Sequence, residues 1–138
     1  MTKPTQTILS YKKFAQLFHR MDTRPNITQT QRLYEALRVM EKHPGKVPII
    51  CSPATLTTPS INRTKYLVSG EMTIGQFIHA IRPRIQCGRL EQQALFLFVG
   101  KNSRAIPATS ALISRVYDIY KSNDGFLYIA YSLENVFG

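Results

Sequence analysis

The run Ala94-Leu95-Phe96-Leu97-Phe98-Val99 decides the fold. Six residues are too few to cross a bilayer, which takes about twenty. Read as a strand, Leu95, Leu97 and Val99 point one way and Ala94, Phe96 and Phe98 the other. Both faces are apolar, so both must be covered, and the cover has to come from helices elsewhere in the chain.

Downstream, Gly100 to Ser110 reads as a loop, and Leu112, Val116 and Ile119 mark a helix. Asn123-Asp124-Gly125 is a turn, Phe126 to Tyr131 a strand with apolar residues on both faces, and Ser132 to Gly138 a tail. Upstream, Thr73 and Gln76 have capping-box spacing and open a helix with Ile74, Phe77, Ile78 and Ile81 on one face; Pro83 ends or kinks it. Lys65 to Val68 is a strand, and Val47 to Cys51 another, with Pro48 near its start as an edge strand tolerates. Ser52 to Ser60 is a loop.

Two amphipathic helices open the chain. Phe14, Leu17, Phe18 and Met21 share one face of the first, which Arg24-Pro25-Asn26 breaks. Thr28 and Gln31 cap the second, whose apolar stripe is Leu33, Leu37 and Met40 and which His43-Pro44-Gly45 stops. These helices are the expected cover for the second face of the Leu95–Val99 strand. The whole reads as α+β with a mixed four-stranded sheet. It divides into a helical extension over 1–45, a compact domain over 46–131 and a tail over 132–138.

Composition narrows the function. At 138 residues the chain is one domain by prior, and 43% apolar content is enough for a core without disulfides. No signal-peptide apolar region follows the polar Met1 to Thr7, which points to the cytoplasm and to peripheral or covalent membrane attachment. Cys51 and Cys87 form no Cys-x-x-Cys pair, and His19, His43 and His79 show no metal spacing. No nucleophile, base and orienter set is discernible, so no catalytic residue is assigned and no cofactor is called for. The net charge of +10 is uneven: residues 1–46 hold nine Lys/Arg against three Asp/Glu, and residues 47–138 nine against five. Such a balance favours anionic partners. Nucleic acid is disfavoured among them, because no strand interleaves aromatic and basic residues as RNA-binding sheets do.

Lys46-Val-Pro-Ile-Ile50, Thr64-Lys-Tyr-Leu-Val68, Thr73-Ile-Gly-Gln-Phe77, Ile81-Arg-Pro-Arg-Ile85, Ala94-Leu-Phe-Leu-Phe-Val99 and Gly125-Phe-Leu-Tyr-Ile-Ala-Tyr131 come in one order, closed by Val136-Phe-Gly138. Together, over about residues 32–138, they resemble the ubiquitin-like autophagy modifiers, the family conjugated to phosphatidylethanolamine on forming autophagosomes. The resemblance implies a ubiquitin-like β-grasp with two additional N-terminal helices, acting as a monomer and not as an enzyme. It implies activation by an E1-like enzyme, transfer through an E2-like thioester, and an amide bond from Gly138 to the lipid amine. A deconjugating cysteine protease would be a further partner. Glycine suits this acyl transfer because its carboxyl approaches an adenylating site and a cysteine without steric hindrance.

The same resemblance implies a peptide groove. Cargo receptors of the family add a strand carrying an aromatic-x-x-aliphatic motif to the sheet edge, here along Lys65 to Val68. Glu35, Val39, Pro48, Leu67 and Phe126, closed by Lys65, would line the aromatic pocket. Tyr66, Val68, Met72, Phe77 and Ala80 would line the aliphatic one, with part of Val68 and Phe77 reachable. Lys46, Arg63 and Lys65 would receive acidic residues flanking the motif, and Arg82 and Arg84 match basic positions beside the second pocket. Phe96 and Phe98 match the aromatic pair facing the processing and conjugating enzymes; packing beneath the N-terminal helices is an equal reading of both.

Several positions depart from the family pattern. Met21 to Gln31 is longer than the usual helix connection, and Gly100 to Ala105 longer than the usual turn. Ser69 replaces a proline, Ala80 a bulkier aliphatic and Pro83 a basic residue. Two alternatives stay open: the sibling autophagy modifier whose glycine joins a lysine of a protein partner, and a peptide-binding module that is not conjugated. Autophagosome membranes are the expected location of a lipid-linked form.

Overall fold

The computed structural model describes residues 29–88, 93–103 and 105–133. The expected first helix, the Thr28 cap and the Gly138 tail lie outside them. Helix α1 spans Gln29–Lys42. Its buried residues are Glu35, Ala36 and Val39, while Leu37 of the expected stripe is 54% exposed. Ala36, Val39 and Met40 form the inward i, i+3, i+4 seam, one residue and so about 100° away from Leu37. Past the helix end, Lys46 N–H donates to His43 O (3.1 Å), closing a turn in which Gly45 takes φ +81, a conformation glycine adopts without steric cost.

Strand β1 (Lys46–Pro53) pairs antiparallel with β2 (Lys65–Ser69), and the sheet continues with β4 (Leu127–Ser132) and β3 (Phe96–Phe98) in the order β2-β1-β4-β3. The expectation that Pro48 marks an edge strand is therefore wrong, because β1 is internal. The Cys51 amide donates to Thr64 O (2.7 Å), so alternation turns the amides of 47, 49 and 51 toward β2 and position 48 toward β4. Pairing with β4 begins only at Ile49↔Leu127, so the donor that Pro48 lacks would have had no partner.

Helix α2 (Ile74–Ile81) starts on the expected capping box: Gln76 N–H donates to Thr73 Oγ1 (3.1 Å) and Thr73 N–H to Gln76 Oε1 (2.9 Å). Pro83 converts its end to a 3-10 turn, Arg82–Arg84. Strand β3 is shorter than Leu95–Val99, since Val99 turns away to exchange both backbone hydrogen bonds with Ala105 (2.7 and 3.0 Å). Leu97 and Phe98 are both buried, so both faces of this strand are covered.

Helix α3 (Ile113–Tyr120) buries Ile113, Val116 and Tyr117. Of the residues expected to mark it, Leu112 caps its start and Ile119 is 72% exposed. The i, i+3, i+4 stripe begins one residue later than the sequence pattern placed it.

Tyr66 packs edge-on against Phe77 (5.5 Å between ring centres), which places α2 on the Tyr66 and Val68 face of the sheet. Backbone bonds from Ile74 N to Ala111 O (2.9 Å) and Ile113 N to Met72 O (2.8 Å) tie the start of α3 to that of α2. Alternation sends Lys65 and Leu67 to the opposite face, which leaves α1 to cover it.

Tyr131 is buried beneath the loop after β1, its hydroxyl donating to Pro59 O (2.5 Å). Burial, then the neighbouring Cys51, pushes its pKa up to about 12. The folded state thus holds this proton more tightly than the unfolded chain. Its stabilising contribution is complete below about pH 10, the unfolded value, and is lost as pH rises toward about 12. Denaturation midpoints measured across that window should fall more steeply for the wild-type chain than for Tyr131→Phe.

Candidate functional site

Strand β2 lies at one edge of the sheet, with its outer side unpaired by any described strand. A row of outward N–H and C=O groups is a template for one more strand. Pro48 and Leu67 sit opposite each other in the β1/β2 register, both buried, on the α1 face. Val39 (2% exposed), Glu35 (7%) and Phe126 (2%) are also buried. Lys65 is half-buried at the strand's start, and burial lowers its pKa.

On the other face are Tyr66, Val68, Met72, Phe77 and Ala80. Met72 and Ala80 are half-buried, while Tyr66, Val68 and Phe77 are buried. The sequence led us to expect part of Val68 and Phe77 to be reachable, but they are 2% and 0% exposed. Both belong to the hydrophobic core, where Phe77 packs edge-to-face with the buried Tyr66 ring. Met72 and Ala80 are therefore what this side of the edge presents.

The expected basic flank is uneven. Arg63 is exposed, whereas Lys46 is only 8% exposed, with a pKa lowered by burial. Arg82 and Arg84 are half-buried, and Arg82 Nη1 donates to Gln93 O (3.0 Å), bridging the 3-10 turn to the approach to β3. Phe96 is half-buried and Phe98 fully buried, so only Phe96 offers surface. Gly138 lies outside the described residues.

Sequence reasoning named Asp124 only as part of a turn and missed its role. Its buried carboxylate accepts from Arg32 Nε (3.2 Å), from the Tyr128 hydroxyl (2.5 Å) and from the Phe126 amide (3.0 Å). The available signal was an Asp directly before a glycine and an aromatic strand.

Away from the β2 edge, the long segment after β3 shapes a polar cavity of about 460 Å³ lined by Asn102, Ser103, Tyr120 and Asn123 among others. Gly100, Asn102 and Ser103 all have positive φ (87°, 64° and 53°). Among the described residues no group of His, Cys, Asp and Glu could hold a metal ion, and no helix is long and apolar enough to cross a membrane.

A mixed four-stranded sheet with a parallel central pair, β1 and β4, and helices on both faces defines a ubiquitin-like β-grasp domain. The model of the family described as "Autophagy protein Atg8 ubiquitin like" matches residues 31–138. Autophagy-related protein 8 of Mycosarcoma maydis is 44% identical over 109 residues, covering 78% of this chain and 88% of its own. Autophagy-related protein 8a of Arabidopsis thaliana is 44% identical over 108 residues, covering 78% and 84%. The crystal structure of ATG8 from Trypanosoma brucei superposes with a TM-score of 0.68 at 34% identity, covering 87% of this chain and 97% of that one. The chain belongs to the Atg8 family of autophagy proteins, ubiquitin-like modifiers rather than enzymes.

Proposed function

We propose that this modifier is attached through Gly138 to phosphatidylethanolamine and recruits cargo receptors by strand addition at β2. The observation that carries the second half is the position of β2 at the sheet edge, next to no described strand but β1, with α1 on one face and α2 on the other. A peptide added there would take backbone hydrogen bonds from Lys65–Ser69 and place alternate side chains toward the two helices. Its aromatic residue would sit by Glu35, Val39, Pro48, Lys65, Leu67 and Phe126, and its aliphatic residue by Tyr66, Val68, Met72, Phe77 and Ala80. Because Phe77 and Val68 are buried, the aliphatic side chain would rest on Met72 and Ala80. Arg63 and Lys65 would meet acidic flanking residues.

E1- and E2-like enzymes and a deconjugating cysteine protease follow as partners, and the autophagosome membrane as the site of the conjugated form. Family membership supports this reading.

Titration with an aromatic-x-x-aliphatic peptide should shift the amide NMR signals of Lys65 to Val68. Shifts confined to other elements would place the binding surface elsewhere. Lys65→Glu should weaken a peptide with acidic flanks about threefold to tenfold and a neutral one less, as expected for a half-buried charge. Equal losses for both peptides would remove charge complementarity as the cause.

A further inference from the structure

Val99 leaves β3 and exchanges both backbone hydrogen bonds with Ala105, which closes the base of the loop between them. In that loop Gly100 lies against Tyr120 of α3: a Cβ there would come within 3.1 Å of the ring's Cδ1. Asn102 and Ser103 then take φ +64 and +53 in succession. Two adjacent left-handed residues, neither of them glycine, make a strained backbone, and such residues collect where a fold shapes a ligand site. Ser103 N–H donates to Gly100 O (2.9 Å) and holds the turn.

This loop forms one wall of the polar cavity of about 460 Å³. Another wall is the turn after α3, where Ser122 N–H donates to Phe126 O (2.8 Å) and Gly125 N–H to Ser122 O (2.9 Å). Tyr128 of β4 completes the lining, its hydroxyl held by Asp124. The cavity shares no described residue with the groove at β2, and β1 stands between β4 and that edge.

The lining chemistry is one-sided. Asn102 and Asn123 offer amide donors, Ser103 and Ser122 hydroxyls, and Lys121 an ammonium; no described lining residue is acidic. Ser103 and Ser122 are half-buried, and their hydroxyls have no hydrogen-bond partner among the described residues. The neighbouring Asp124 carboxylate is already taken by Arg32, Tyr128 and the Phe126 amide. Lys121 rests over the Tyr117 ring (5.6 Å) and reaches Asp118 O only at 3.4 Å, exposed contacts that an anion would displace. Donors and a cation without a carboxylate suit an anion, and amides beside hydroxyls suit a ligand that also carries hydroxyl groups. The volume exceeds what a bare phosphate fills and falls within the range of about 300–1,000 Å³ of small-molecule sites.

We propose that this cavity binds a phosphorylated polyol, its phosphate met by Lys121 and the asparagine amides and its hydroxyls by Ser103 and Ser122. NMR titration of the full chain with inositol monophosphate at physiological salt should give saturable shifts at the amides of Asn102, Ser103, Ser122 and Asn123. Inositol and inorganic phosphate should each bind at least about tenfold more weakly. Equal affinity for either, or non-saturating shifts scattered over surface lysines, would overturn the proposal.

Asn102→Asp keeps a residue that tolerates the left-handed region but adds a negative charge, and should weaken inositol monophosphate about tenfold. Ser103→Gly relaxes the backbone and deletes a hydroxyl, so it should raise the thermal midpoint while lowering affinity about threefold to tenfold. Wild-type affinity in both variants would mean that the strain is structural only and would overturn the proposal. Lys121→Gln repeats the test outside the loop; a loss of similar size is expected, and wild-type affinity there overturns the assignment of the phosphate. Phosphatidylcholine vesicles with and without phosphatidylinositol monophosphate identify the source. Co-sedimentation that Asn102→Asp abolishes makes it a lipid headgroup, and binding of the soluble compound alone makes it a free metabolite.

Discussion

A chain lacking Gly138 should form no lipid adduct when incubated with family E1- and E2-like enzymes, ATP and liposomes containing phosphatidylethanolamine, whereas the intact chain should gain the mass of the lipid less one water, the loss that amide formation entails. The deletion leaves Phe137 as the terminal acyl group, and its Cβ and ring crowd the carbonyl that must enter first an adenylating site and then a thioester. Mass spectrometry reads the outcome directly. A protein–protein adduct that forms without lipid would select the sibling mode of conjugation, and an adduct from the deleted chain would remove Gly138 from the chemistry. Because the β2 edge is built from other residues, the same deletion should leave the peptide-induced shifts at Lys65 to Val68 intact. Attachment and recruitment should thus be separable by single changes.

The second large effect concerns Phe77. Its side chain is fully buried, so Phe77→Ala should cost about 3–5 kcal/mol of stability, the combined loss of transfer energy and packing around the cavity left behind. The denaturation midpoint should fall at nearly unchanged slope. Peptide affinity, measured below that midpoint, should fall mainly through the loss of Tyr66's support. A loss of stability under about 1 kcal/mol together with complete loss of binding would mean that Phe77 is groove surface after all.

Periodicity and caps made most of this fold legible from the residues. Thr73 and Gln76 announce the start of α2 chemically, and Pro83 its end, so both boundaries could be read directly. The faces of α1 and α3 were harder. Leu37 and Ile119 are apolar but point outward, while Ala36 and Tyr117 do the inward packing. A small residue pressed on a glycine and an aromatic anchored by its hydroxyl leave little trace in a hydrophobic pattern. Pro48 misled for a different reason: whether a missing donor matters depends on which neighbour that amide would face, a property of strand order and not of the strand.

At the candidate site, the residues of the β2 edge were readable through resemblance, since motif order carries position. Their depth was not. That Phe77 is buried in the core beside Tyr66, and that Lys46 is nearly buried while Arg63 is exposed, depends on packing between segments far apart in sequence. The Arg32–Asp124 pair is the clearest case, joining the first turn of α1 to the turn before β4.

The parallel pairing of β1 with β4 has a consequence for how the protein is made. Ile49 finds Leu127 only after nearly the whole domain has left the ribosome, yet this pair forms the middle of the sheet. Until then the inner edge of β1, where Ile50 and Ser52 turn their backbone groups away from β2, has no strand to pair with, and β1 and β2 form at most an isolated hairpin. Loop closure over such a span is slow, and a nascent chain held in that state exposes an aggregation-prone edge. The order of synthesis makes β4 the strand that completes the domain, so a ribosome stalled between α2 and β4 would present a sticky, half-built sheet to chaperones.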